Sequence, residues 1–102
     1  MELEHKRNFA EARANWDAFW RGDLGRPTIQ AEVVRPGVEP ASKPPYTAGA
    51  LVDDFAPLVD QVRRWAESHE FLGDNIPFYH VEFGPDHFAT LLGADLEFLD
   101  HC

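Results

Sequence analysis

The chain contains a single cysteine, at its last position, and only 9 basic residues against 18 acidic ones, a formal net charge of −9. One terminal thiol excludes an internal disulfide framework and fits a reducing compartment. The acidic balance opposes attraction to phosphate backbones and to anionic lipid surfaces, so neither a nucleic acid nor a membrane is an expected partner. Long apolar runs are missing as well. The opening MELEHKRNFAEARANW is charged where a signal peptide needs an apolar stretch, and nothing approaches membrane-spanning length. These absences together give a cytoplasmic chain as the expectation. Glycine is sparse where a phosphate loop would need it: Gly84-Pro85-Asp86 has neither the further glycines nor the lysine such loops use.

Aromatic residues, by contrast, are plentiful. Eight Phe and three Trp among 102 residues exceed what a core this small absorbs, which suggests surface meant to be covered by something else. One domain is the ceiling at this length.

Apolar residues at Phe9, Ala12, Trp16, Phe19 and Trp20 follow a helical stripe that Gly22, Gly25 and Pro27 terminate. The stripe is expected to be buried, with Arg13, Asp17 and Arg21 facing water. Thr28–Arg35 is β-branched and bounded by Pro27 and Pro36-Gly37, the punctuation of a strand. A proline-rich loop, 38–46, follows. Leu51, Phe55, Leu58, Val59, Val62, Trp65 and Ala66 form a second helical stripe. The helix either starts near Pro57 or kinks there, with His69 in its last turn and Gly73 soon after. Alternation over Asn75–Phe83 predicts a second strand, with Tyr79, Val81 and Phe83 on one face and Phe78, His80 and Glu82 on the other. Asp86 opens a short helix with Phe88, Leu91 and Leu92 inward, Gly93 closes it, and Leu96 and Phe98 suggest a third strand. Helix and strand alternate, which implies parallel strands joined by right-handed crossovers. Thr28–Arg35 and Pro77–Phe83 would then be parallel neighbours.

The segment NIPFYHVEFGPDHFATLLGADLEF, Asn75–Phe98, resembles the N-terminal part of the uroporphyrinogen decarboxylase-like superfamily. In those proteins an aromatic strand runs into Gly-Pro-Asp, a small-apolar helix ending in Leu-Gly, and an Ala-(Asp/Glu)-Leu-Glu-Phe segment. The opening NWDAFWRGDLGRP is similar to the start of divergent members. The resemblance implies an α/β fold made of the N-terminal βα units of a (β/α)8 TIM-type barrel, incomplete in this chain. Such a barrel needs about 250 residues, so residues 1–102 would be a single partial domain, roughly its first third. The implied chemistry is that of a lyase in porphyrin metabolism (a decarboxylase) or of a corrinoid-dependent methyltransferase. Neither the Arg-Gln-Ala-Gly-Arg-Tyr motif nor the Phe-Ser-Asp-Ile segment of the decarboxylases is present here. The fragment is therefore expected to be inactive alone. Its partners would be a small-molecule substrate once the barrel is completed, and a complementing chain or further copies of itself.

His80 and Glu82 are the candidate catalytic residues. They share one strand face, about 7 Å apart at the backbone, and inside a barrel they would form an acid/base or metal-ligand pair. The alternative is a polar pair hydrogen-bonded within a filled barrel interior. Asp86 and His87, just beyond the strand's C-terminal end, are the candidate substrate-binding residues, Asp86 being equally readable as a helix cap. His101 and Cys102 are adjacent rather than spaced for ligation, so no metal site and no cofactor are expected. The other reading is a standalone small α/β binding or assembly module that oligomerises through its aromatic surface.

Overall fold

The computed structural model describes residues 2–82, 87–95 and 97, and at Ala50 and Leu51 only the backbone. Helix α1, Phe9–Arg21, ends where Gly22 turns left-handed at φ 79°, a conformation that favours glycine. The amides of Gly22 and Asp23 return to the carbonyls of Phe19 and Ala18 and close the last turn. Strand β1, Gln30–Val34, follows. A single 3-10 turn, Ala48–Leu51, precedes helix α2, Ala56–Ser68. Pro57 lies in the first turn of α2, where its missing N–H has no intrahelical partner to lose, so the helix starts there rather than kinking. Strand β2, His69–Gly73, begins at the residue that caps α2. A short helix α3, His87–Leu91, comes last among the described residues.

Among the described residues the architecture is a small mixed α/β fold in which three α-helices accompany a two-stranded sheet. That sheet is antiparallel, in the register Gln30 to Gly73, Glu32 to Phe71 and Val34 to His69. The parallel pair expected between Thr28–Arg35 and Pro77–Phe83 is therefore corrected. Residues 75–82 carry no strand and lie instead against the loop at 45–46, where Tyr79 Oη donates to the Pro45 carbonyl (2.6 Å) and the Glu82 amide to the Tyr46 carbonyl (3.1 Å). The edge of β1 is taken instead by 69–73, a strand that the helical reading through His69 concealed. Phe83, Asp86, Leu96 and Phe98, and with them the third strand, lie outside the described residues.

The hydrophobic core is small. Trp65, Ala66 and Phe71 are buried with Val62 packed on them, and the Trp65 and Phe71 rings meet edge-on at 5.3 Å. From α1 only Ala12 is buried. The expectation that its aromatic stripe is covered fails: Trp16, Phe19 and Trp20 pack on one another along the helix, and Trp20 remains 78% exposed. Phe88, Leu91 and Leu92 are likewise exposed rather than inward. Beyond Ala12 and the half-buried Phe9 and Trp16 the stripes have the right period without being covered, so amphipathicity alone does not bury a side chain.

Candidate functional site

The candidate pair His80 and Glu82 lies on an irregular segment held against the turn at 45–49. The Tyr79 and Glu82 hydrogen bonds anchor it, and a Cβ on Gly49 would come within 2.8 Å of Val81 Cγ1, so the two segments meet closely there. His80 Nε2 stands 3.8 Å from Glu82 Oε2, an ion pair only when the imidazole is protonated. The structure does bring the two side chains together. It does so at the surface, the His80 side chain being 66% exposed, without walls that would exclude water or fix a reacting group. His87 opens α3 and is half-buried, while Asp86 lies outside the described residues. Burial raises the Tyr79 phenol above its ordinary pKa, which keeps it a hydroxyl donor to Pro45.

A second constellation is more tightly built and was not anticipated from the sequence. Asp74, 1% exposed, follows β2 directly. Its carboxylate receives Arg26 through Nη1 (2.7 Å) and Nη2 (3.1 Å), the Ile29 amide (2.9 Å) and Asn15 Nδ2 (2.8 Å). The Asp74 amide donates to the Ile29 carbonyl (2.7 Å), and its carbonyl accepts Trp16 Nε1 (2.7 Å). The Arg26 guanidinium first, then the Ile29 amide, hold this carboxyl well below the usual carboxylate range. Gly73 makes the approach possible: at φ 61° it is left-handed, and a Cβ there would stand 2.5 Å from the Ile29 carbonyl oxygen. One residue thus ties α1, the loop before β1 and the end of β2 together. Buried and with both carboxylate oxygens satisfied, Asp74 is a clasp and not a reacting group.

A third cluster brings Ser68, His69 and Glu32 together. Ser68 Oγ is 2.9 Å from His69 Nδ1, and His69 Nε2 is 3.8 Å from Glu32 Oε1. Its composition suits a nucleophile, base and orienting acid, but the wiring does not. His69 Nδ1 also lies 2.8 Å from the Trp65 carbonyl, which can only accept, so that nitrogen carries the proton and cannot take one from Ser68. The buried Ser68 hydroxyl donates to the same carbonyl (2.9 Å) and accepts from the Ala41 amide (3.1 Å). Glu32 in turn accepts Trp65 Nε1 (2.8 Å). The cluster fastens the C-terminus of α2 to β1 and β2.

Among the described residues no group of three or more His, Cys, Asp or Glu is placed to hold a metal ion, and no helix is long and apolar enough to cross a membrane. Fold and clusters together define a small mixed α/β unit closed by a buried carboxylate. No protein family, no curated protein and no solved structure matches the chain.

Proposed function

We propose that this chain is the leading segment of a uroporphyrinogen decarboxylase-like protein, of decarboxylase or corrinoid-dependent methyltransferase type, acting in the cytoplasm and inert by itself. The observation that carries the reading is the imbalance between core and surface. Ala12, Trp65, Ala66 and Phe71 are the buried apolar residues described, while Trp20, Phe78, Phe88, Leu91 and Leu92 all stand largely exposed. A segment completed by further polypeptide leaves apolar faces of this kind open. The antiparallel pairing limits the reading in one respect. Neighbouring strands of a βα barrel are parallel, so β1 and β2 would lie beside the barrel wall and not within it. His80 and Glu82 keep their candidate roles only in an assembly that encloses them, with Asp86 and His87 at its mouth and a small-molecule substrate inside.

Assays of the purified 102-residue chain test the inert state: neither porphyrinogen decarboxylation nor corrinoid-dependent methyl transfer should exceed background. Turnover abolished by His80→Ala or Glu82→Gln would overturn it. A second reading is favoured by the Asp74 clasp, which closes α1 on the sheet without outside help. It is a standalone module that oligomerises through its aromatic surface. Sedimentation separates the two: a discrete oligomer that Trp20→Ser dissociates supports the module, and a monomer that binds apolar dyes supports the leading segment.

A further inference from the structure

Apart from the clusters above, one cavity of about 320 Å³ opens between the N-terminal segment and the sheet, lined among others by His5, Arg7, Asn8, Arg35 and Glu70. Its charge contrasts with the rest of the molecule. The chain has 9 basic residues in all, and two of the guanidiniums, Arg7 and Arg35, face this one cavity. Neither makes an ion pair among the described residues, although Glu70 lines the same wall; Arg26 and Arg21 each have an aspartate partner. Arg35 spends its Nε on the His69 carbonyl (3.0 Å), which orients the guanidinium and leaves its outer nitrogens without a hydrogen bond among the described residues.

A third cation stands behind the wall. Lys6 is 3% exposed, and its Nζ donates to the carbonyls of Phe71 and Gly73, both at 2.7 Å. Phe71 and Gly73 themselves line the cavity, so the ammonium sits immediately beyond its floor with backbone oxygens, not a carboxylate, as bonded partners. Burial pushes the Lys6 ammonium below its ordinary pKa, with Asp74 and Glu11 opposing that shift. In a chain of net charge −9, positive groups gathered around one recess and left without carboxylate partners make it the place where an anion is least repelled.

We propose that this cavity binds a small oxyanion of charge −2, a phosphate group or a short dicarboxylate, through the Arg7 and Arg35 guanidiniums with His5 and Asn8 as further donors. Guanidinium forks match both kinds of oxygen pair geometrically. The volume, about 320 Å³, accommodates an ion or a short acid. Glu70 sets a limit, since its carboxylate repels the same ligand at the cavity wall.

The test is an amide-shift titration of the full 102-residue chain by NMR, with inorganic phosphate and, separately, succinate at fixed ionic strength. Saturable shifts in residues 5–8, 35 and 70–73, with half-saturation on the order of 1 mM or below, are the expected result. Arg7→Glu, an exposed change, should weaken binding by about tenfold or more while the remaining spectrum stays folded. Glu70→Gln should strengthen it severalfold. Preference for phosphate identifies a phosphorylated ligand and preference for succinate a dicarboxylate; either sustains the site. Shifts that stay linear for both ions, or saturable binding that Arg7→Glu leaves unchanged, would overturn it.

Discussion

The end of the molecule built on the β1–β2 sheet and the segment after residue 75 differ in how they are held. At the sheet, buried polar groups carry the connections: Asp74 joins α1 to the loop before β1 and the end of β2, and Glu32, Trp65 and His69 join α2 to the sheet. After Asn75, hydrogen bonds from Tyr79 and Glu82 to the carbonyls of Pro45 and Tyr46 hold the chain, and its apolar side chains Phe78, Phe88, Leu91 and Leu92 face outward. A domain this short buries too little apolar surface to rely on a core alone. Where it has a satisfied polar hub it closes on itself. Where it has only an apolar stripe it waits for a surface to lie against.

The strongest test of that contrast is Trp65→Ala. It removes the largest member of the core together with its bond to Glu32, and should cost about 3–5 kcal/mol in chemical denaturation, enough to unfold the sheet end. A cost below about 1 kcal/mol would mean that the core contributes little and the polar clusters suffice.

Acid titration addresses the clasp next. The Asp74 carboxyl is held down in the folded state, so its stabilising effect is complete above the unfolded carboxylate pKa of about 4 and is lost as pH falls toward the lower folded value. The denaturation midpoint should accordingly decline below about pH 4, and Asp74→Asn should lower stability at neutral pH and flatten that decline. An unchanged acid limb in Asp74→Asn would place the acid sensitivity elsewhere.

Trp16→Phe keeps the ring on α1 and removes the donor to the Asp74 carbonyl. A loss of about 1–2 kcal/mol is expected, visible as a shift in urea midpoint, because that carbonyl then lacks its side-chain donor. The smallest effect belongs to the other region. Leu92→Ser, at a residue 77% exposed, should change stability by no more than about 0.5 kcal/mol in the isolated chain while reducing its tendency to associate. A larger loss would show that the region after residue 75 has a covering partner in solution, and would erase the difference between the two halves.

Much of the local structure was legible in the residues. Gly22 ends α1, Pro57 opens α2, and the strand between Pro27 and Pro36 is present as Gln30–Val34. His80 and Glu82 do come together, as a shared strand face would predict, though on an irregular segment. The strand 69–73 was hidden because HEFLG continues a helical stripe without a breaker until Gly73. The signal that could have revealed Asp74 was faint: an acidic residue directly after a glycine that ends an apolar run, and an arginine before Pro27, beyond the end of the helical stripe.

Sequence by itself determined the mixed α/β character, the end of α1, the start of α2 and the acidic, aromatic-rich composition, because periodicity, glycine and proline act over a few residues. Only the tertiary structure decided which strands pair, in which direction, and which charges are buried. Those outcomes depend on contacts between residues as far apart as Arg26 and Asp74, or Lys6 and Phe71. Such contacts are set by competition among all available edges and donors in the folded chain, and no local pattern encodes the winner.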